Sequence, residues 1–174
     1  FDYDWGCEVS DIVRIVDRLK TINKKFLLVK PQIDNRYSMT MVQTHSYQQR
    51  SCDVRRQLLP LFEGQKYIDS EYIIIEEAQF FEDLEPFVLK AVDEDKKHVI
   101  VVGLDGDSDR GNFGQIHKLI PLCDSVRKLK AFCLSCKDGT EAIFSKRIIQ
   151  HNGQTCIGSA DKYMAVCRDC FLKE

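Results

Sequence analysis

The spacing of apolar residues near the start of the chain predicts an amphipathic helix over residues 10–24. The residues that carry the helical period are Ile12, Val13, Ile15, Val16, Leu19 and Ile22. Ser10 is placed to cap the start of this helix, and Asp11 would favour the positive end of the helix dipole.

Three short apolar runs predict strands that are covered on both faces. They are residues 26–29, which Pro31 closes, residues 72–75 and residues 98–102. Two more helices are predicted between them, one around Val54, Leu58, Leu59 and Phe62 that stops near Gly64, and one over residues 82–93. Because strands and helices alternate, we expect an α/β fold with a largely parallel sheet flanked by helices.

Acidic residues follow two of the predicted strands. Glu76 and Glu77 come after the second strand, and Asp105 comes shortly after the third. Ligands of parallel sheets bind at the carboxyl ends of the strands, so these carboxylates mark the functional edge.

Composition narrows the class of protein. A chain of 174 residues can form one main domain with a small additional module. Lys and Arg total 25 against 27 for Asp and Glu, so no basic excess indicates binding to nucleic acid or to anionic lipid. No apolar run approaches the ~20 residues of a membrane span, and residues 1–6 lack the features of a signal peptide. These features predict a soluble protein.

The eight cysteines include two Cys-x-x-Cys pairs, Cys133 with Cys136 and Cys167 with Cys170. Two such pairs can close a tetrahedral shell around a structural Zn²⁺ ion, and the alternatives are reduced core cysteines or a redox pair. A metal site in a reducing compartment fits this composition better than a disulfide scaffold. The other four, Cys7, Cys52, Cys123 and Cys156, are predicted to be packing residues. The pattern changes near Leu129, which predicts a core over residues 1–129 and a zinc-binding module over residues 130–174.

Several motifs stand out along the chain. They are Lys30-Pro31 with Asp34-Asn35-Arg36-Tyr37, Thr44-His45, Glu76-Glu77-Ala78-Gln79-Phe80-Phe81, Gly103-Leu104-Asp105-Gly106-Asp107, Leu119-Ile120-Pro121-Leu122, Phe144-Ser145-Lys146-Arg147, and Ile157-Gly158-Ser159-Ala160-Asp161-Lys162-Tyr163 leading into the second cysteine pair. In their order and spacing these motifs resemble those of type II, cellular-type thymidine kinases, and the resemblance covers essentially the whole chain. The resemblance implies a P-loop NTPase-like core and a lasso loop in the zinc-binding module.

The resemblance also implies a nucleoside site. Its residues would be Phe80, Leu104, Phe113, Ser145, Cys156 and Tyr163. Glu77 corresponds to the general base for the 5′-hydroxyl of thymidine, and Asp34 and Arg36 would lie near the phosphates of Mg-ATP. Without the resemblance, Phe80 and Phe113 fit plain core positions, Glu77 a solvated strand end, and Asp34 with Arg36 a loop ion pair.

This chain departs most strongly from the family at the phosphate loop. Counting back from the predicted helix places it on residues 1–8, where Gly6 is retained, Cys7 stands in place of Lys, and Glu8 stands in place of Ser or Thr. Asp2 and Asp4 bring further negative charge. Glu76 replaces the Asp that binds magnesium in the family, and Ser108 replaces an aromatic residue that packs on the base. We expect the N-terminal strand of the family to precede Phe1.

Three functions are compatible with these residues. The first is a catalytically inactive thymidine kinase fold that acts as a structural or regulatory subunit. The second is an active enzyme that transfers the γ-phosphate of ATP to thymidine, and the third is a sensor that binds thymidine or its nucleotide. A homo-oligomer or another protein partner is expected in each case, in the cytoplasm or the mitochondrial matrix, without nucleic acid or membrane insertion.

Overall fold

A computed structural model describes residues 7–33, 41–43, 49–149 and 162–173. Gly6, Asp34, Arg36 and Cys156, which the sequence assigns to sites, lie outside the described residues. The same holds for Asp2, Asp4, Thr44-His45 and most of the lasso motif, and for the side chains of Cys7 and Glu8.

The described chain contains short helices and strands in alternation. The helices are α1 (Cys7–Thr21), α2 (Gln65–Asp69), α3 (Leu84–Leu89), α4 (Ile116–Leu119) and α5 (Arg168–Leu172). The strands are β1 (Phe26–Pro31), β2 (Met41–Gln43), β3 (Gln49–Ser51), β4 (Asp53–Arg55), β5 (Tyr72–Ile75), β6 (His98–Val101), β7 (Ala131–Phe132), β8 (Glu141–Ala142), β9 (Phe144–Arg147) and β10 (Tyr163–Val166). Single 3₁₀ turns occur at Leu59–Glu63, Ala78–Phe80 and Ile120–Leu122, and a π-helical turn at Lys90–Glu94 extends α3.

The central sheet has four parallel strands in the order β4-β1-β5-β6. Val29 of β1 pairs with Ile75 of β5, which pairs in turn with Val101 of β6. The parallel α/β sheet expected from the sequence is therefore confirmed, and the strands end at one common edge.

The sheet is covered on both faces because alternate strand residues point in opposite directions. On one face Leu28 and Ile74 pack with Ile12, Val16 and Leu19 of α1. On the other face the buried residues are Leu27, Val29, Ile73, Ile75, Leu58, Leu61, Tyr67, Leu84 and Phe87.

Two predictions of local structure were wrong. The first helix begins at Cys7, so Ser10 lies inside it and does not cap it. None of residues 7–9 is a glycine or proline, so nothing in their composition prevents the helix from starting before Ser10. Val54 was predicted in a helix but lies in β4 opposite Lys30. The spacing of apolar residues in so short a run does not distinguish a strand from a helix, and pairing with β1 determines that this segment is a strand.

The cysteine-rich end of the chain forms two antiparallel ribbons. Strand β7 pairs with β8, and β9 pairs with β10, with Ser145 opposite Ala165. The small core between them consists of Cys133, Ala142, Ala165, Val166, Cys167 and Cys170. No helix in the described ranges is both long enough and apolar enough to cross a membrane.

Asp83 ties the turn before α2 to the start of α3. Its Oδ2 accepts hydrogen bonds from the backbone N–H groups of Leu58, at 2.7 Å, and Leu59, at 2.8 Å. Asp83 is buried, with 8% of its surface exposed. A loss of these bonds therefore leaves the buried amide of Leu58 and the partly buried amide of Leu59 without acceptors.

We expect Asp83→Ala to lower the free energy of unfolding by about 2–4 kcal/mol, because two charge-assisted hydrogen bonds are lost and their backbone donors are left unpaired. Asp83→Asn keeps an acceptor oxygen and should lose about half as much. Urea denaturation measures both, with the exposed Asp69→Ala as control. An Asp83→Ala variant as stable as the control contradicts this role.

Candidate functional site

Glu77 lies at the carboxyl end of β5 in an unusual backbone conformation. Its φ of 48° and ψ of 42° are left-handed, a region that a residue with a side chain seldom adopts. The half-buried Glu77 accepts a hydrogen bond at Oε2 from Nε2 of Gln79, at 2.6 Å. Strained backbone held in place by neighbouring contacts is typical of functional sites.

Gln79 joins the ends of β5 and β6. Its side chain is buried, and Oε1 accepts a hydrogen bond from the backbone N–H of Leu104 at 3.1 Å, while Nε2 donates a hydrogen bond to Oε2 of Glu77. A Cβ on Gly103 would stand 2.3 Å from this Oε1, so only glycine permits the approach. Sequence reasoning assigned Gln79 no role, and its place inside the Glu76–Phe81 motif was the only signal.

The aromatic residues predicted to line the nucleoside pocket meet in this region. Phe80 and Phe113 contact edge to face, with ring centroids 5.4 Å apart. Gly114 has φ of 60°, and a Cβ there would stand 2.2 Å from the carbonyl oxygen of Gln79. Contacts around Gln79 therefore bring Glu77, Phe80, Leu104 and Phe113 together, and their assignment to a nucleoside stays a prediction.

Lys30 is a further charged residue at the same edge that sequence reasoning did not assign to the site. It is 1% exposed, and its Nζ donates a hydrogen bond to the carbonyl oxygen of Met41 at 3.1 Å. Glu76, which is 5% exposed, donates its backbone N–H to Val29, the residue before Lys30. The position of this lysine at the end of an apolar strand was the sequence signal that could have assigned it to the site.

The remaining polar residues that the sequence places at this edge, in the phosphate loop or beside the base are less gathered. Asp105 is exposed and pairs with Lys128, whose Nζ lies 2.5 Å from Oδ2. The backbone of Cys7 and Glu8 forms the first turn of α1. Ser108 is buried, and its Oγ has no hydrogen-bond partner in the part of the chain that the structure describes.

Four cysteine sulfurs form a candidate metal centre. The Sγ atoms of Cys133, Cys136, Cys167 and Cys170 all lie within 4.8 Å of one another. Cys136 Sγ is 3.8 Å from that of Cys167 and 3.4 Å from that of Cys170. Tetrahedral Zn–S bonds of about 2.3 Å place two sulfurs about 3.8 Å apart, whereas a disulfide needs about 2.05 Å. The donor set therefore fits structural zinc.

Backbone amides prepare one of these sulfurs to bind a cation. Burial opposes ionisation of Cys133, but hydrogen bonds from the backbone N–H groups of Cys167, Cys136 and Ser135 lower its pKa to about 6. The hydrogen bond to Cys170, followed by those to Cys133 and Cys167, raises the pKa of Cys136 to about 12 when the cluster holds only protons. A cation removes this conflict, since it binds all four groups as thiolates.

The remaining cysteines follow the packing prediction only in part. Cys52 is half-buried and packs against the core beside α1, as expected. Cys123 is exposed, so the prediction that it packs was wrong. It lies just after the Ile120–Leu122 turn, where its Sγ donates to the carbonyl oxygen of Ile120 at 3.1 Å. Cys7 and Cys156 have no described side chains.

Ser145 and Tyr163, the other predicted nucleoside residues, lie on the ribbon of β9 and β10. Tyr163 pairs with Arg147 in the ribbon, and the Arg147 guanidinium carbon is 5.8 Å from the Tyr163 ring centroid. Phe144, next to Ser145, contacts Arg110 from the segment after β6, which links this ribbon to the Gln79 region.

A parallel α/β sheet with an attached four-cysteine module is the architecture that the resemblance to cellular-type thymidine kinases implies. The sequence model of the family described as thymidine kinase matches residues 7–171. The chain belongs to the thymidine kinase family.

Individual relatives agree with this assignment. A thymidine kinase of Oryza sativa subsp. japonica is 41% identical over 155 residues, which cover 87% of this chain and 56% of that protein. The cytosolic thymidine kinase of Gallus gallus is 37% identical over 165 residues, 95% of this chain and 71% of the relative. A thymidine kinase of Fowlpox virus is 35% identical over 168 residues, 95% of this chain and 90% of the relative.

We expect a strong zinc chelator to lower the melting temperature and to unfold the β7–β10 region first, because half of the buried residues of its small core are the cysteines themselves. Readdition of Zn²⁺ should restore the melt, which differential scanning calorimetry can follow. A melting curve that chelation leaves unchanged contradicts the metal assignment.

Proposed function

We propose that this chain is a thymidine kinase fold without phosphotransferase activity that acts as a structural or regulatory subunit. The observation that carries the proposal is the first turn of α1, where Cys7 and Glu8 occupy the positions that the resemblance gives to the phosphate-binding Lys and Ser or Thr.

The charges of these residues oppose the binding of a triphosphate and its transfer. Phosphoryl transfer depends on positioning and on neutralising the charge of the phosphates, for which the loop supplies backbone amides, a Lys and a magnesium-binding hydroxyl. Here the Lys is absent and Glu8, with Asp2 and Asp4, adds negative charge where a triphosphate would lie. Partly buried charges at close range interact by several kcal/mol, and each ~1.4 kcal/mol changes a rate about tenfold.

The other assignments form part of the same proposal. Residues 1–129 form the kinase-like core, and residues 130–174 form a zinc-binding lasso module with structural Zn²⁺ on its four clustered cysteines. Glu77 is a vestigial general base, and Glu76 with Asp34 and Arg36 marks the former phosphate and magnesium region. A location in the cytosol agrees with relatives described as cytosolic thymidine kinases. Assembly as a homo-oligomer belongs to the same proposal.

A second candidate is a protein that binds thymidine or its nucleotide as a sensor. It is favoured by the contacts around Gln79, which hold Leu104 and Glu77, and by the paired rings of Phe80 and Phe113. Phe80, Leu104, Phe113, Ser145, Cys156 and Tyr163 would hold the nucleoside in this case.

A third candidate is an active kinase that grips Mg-ATP in another way. Glu77 stands at the strand end, and Lys30 supplies a buried cation at the same edge. This candidate requires Lys30 or a partner protein to replace the charge that the loop lacks.

We expect thymidine phosphorylation in the presence of Mg-ATP to be at least ~1000-fold slower than with the cytosolic enzyme of Gallus gallus, because one cation that stabilises transition-state charge contributes on this scale. Transfer of radiolabel from γ-labelled ATP to thymidine measures the rate. Glu77→Gln should leave this residual rate unchanged. An ordinary rate that Glu77→Gln abolishes contradicts the proposal and favours the active kinase.

Thymidine binding separates the first two candidates. A sensor saturated with ~100 times the Kd of thymidine gains about 2.7 kcal/mol, which raises the melting temperature by about 5–10 °C for a chain of this size. Adenosine serves as the control ligand and should produce no shift. A melting temperature that thymidine does not change excludes the sensor and leaves the subunit role.

A further inference from the structure

The segment after β6, residues 103–113, forms a hairpin loop that is closed by hydrogen bonds of Asp107. Its backbone N–H donates to the carbonyl oxygen of Gly111 at 2.9 Å, and its Oδ1 accepts from the N–H groups of Asp109 and Gly111 at 2.9 and 2.7 Å. Gly106 and Asn112 form an antiparallel bridge below it. The tip of the hairpin loop is therefore held in one shape.

Arg110 stands at this tip and contacts two aromatic rings of the cysteine-rich end. Its guanidinium carbon lies 4.9 Å from the ring centroid of Phe171 and 5.7 Å from that of Phe144. The centroids of the two rings are 5.2 Å apart, and the guanidinium carbon of Arg168 lies 5.1 Å from the ring centroid of Phe144. Guanidinium groups at these distances are attracted by the ring faces.

Both rings belong to the packing of the cysteine cluster. Phe171 follows Cys170, and its backbone N–H donates to the carbonyl oxygen of Cys167 at 2.9 Å. Phe144 and Phe171 pack against the small core that contains Cys133. Arg110 therefore lies one ring away from the residues that would hold the metal.

The base of the same hairpin loop belongs to the candidate nucleoside site. Leu104 donates its N–H to Gln79, which holds Glu77, and Phe113 packs on Phe80. One closed loop thus contacts the site at its base and the cysteine cluster at its tip.

The backbone of Arg110 supports a role for its side chain. Arg110 has φ of 65°, a conformation that glycine adopts more easily than a residue with a Cβ. Backbone strain of this kind persists where surrounding contacts hold it in place. Here the hydrogen bonds of Asp107 hold the backbone of the tip, and the two rings contact the side chain.

We propose that Arg110 is a positioning residue that couples the metal-bound state of the cysteine cluster to the shape of the hairpin loop 103–113. When the cluster holds its metal, Phe144 and Phe171 present their rings to Arg110 and fix the tip. When the metal is lost, the rings separate and the hairpin loop opens, which displaces Leu104 and Phe113. The coupling rests on the proposed metal site and nucleoside residues, and it does not require phosphate transfer.

Hydrogen exchange of the hairpin amides tests the coupling on the full zinc-loaded chain. In the unmodified protein, zinc chelation should increase exchange at residues 103–113 by ~5–30-fold, the range expected for two exposed cation–π contacts. In Arg110→Ala, exchange should already be this fast with zinc bound, and chelation should add less than about twofold. Arg110→Lys keeps the charge without the planar guanidinium and should give an intermediate rate.

Arg56→Ala, which removes an exposed arginine far along the chain from the hairpin loop, is the matched control and should behave as the unmodified protein. Zinc content and melting temperature confirm that each variant is folded. The proposal is overturned if chelation leaves the hairpin loop of the unmodified protein unchanged, or if Arg110→Ala responds to chelation as the unmodified protein does.

Thymidine affinity gives a second readout. Where the unmodified protein binds thymidine, Arg110→Ala should raise the Kd by ~5–30-fold, in step with the exchange rates. An unchanged Kd beside faster exchange overturns the link to the nucleoside residues. If the unmodified protein does not bind thymidine, the nucleoside site itself is contradicted, and the exchange experiment alone decides the role of Arg110.

Discussion

The parallel pairing of β1, β5 and β6 in register is the constraint on which the rest of the structure depends. Val29, Ile75 and Val101 lie side by side, so the chain leaves all three strands at one edge. Apolar residues fill both faces of the sheet, which leaves this edge as the place where polar groups gather. Lys30 directly follows Val29, whose carbonyl oxygen accepts the backbone N–H of Glu76, although 46 positions separate Lys30 from Glu76 in the sequence.

A single buried amide then organises that edge. Gln79 donates to Glu77 and accepts from Leu104, so it fixes a carboxylate on one strand end and the backbone of the next. The approach is possible because Gly103 and Gly114 leave no Cβ against it. Loss of a buried amide with two partners would leave donors and acceptors unpaired, which makes this contact costly to break.

The cysteine-rich end depends on chemistry of a different kind. Its buried core is small, and three of its six members are cysteines. Modules of this size seldom bury enough apolar surface to fold alone, and in such modules metal binding commonly supplies the missing free energy. The rings of Phe144 and Phe171 then offer Arg110 a surface that joins this end to the hairpin loop after β6. The cysteine cluster and the candidate nucleoside site are thereby connected through side-chain packing.

The sequence by itself determined the parallel α/β sheet, the cysteine cluster and the family, because apolar runs, fixed cysteine spacing and ordered motifs are local properties. It placed the start of α1 three residues late because Ser10 is a common capping residue. It assigned Val54 to a helix because the pairing of β4 with β1 depends on neighbours distant in sequence. Only the tertiary structure decided that Gln79 bridges two strand ends, that Lys30 is buried and that Arg110 contacts the cysteine-rich end. Each of these facts arises from contacts between segments whose separation along the chain carries no periodic signal.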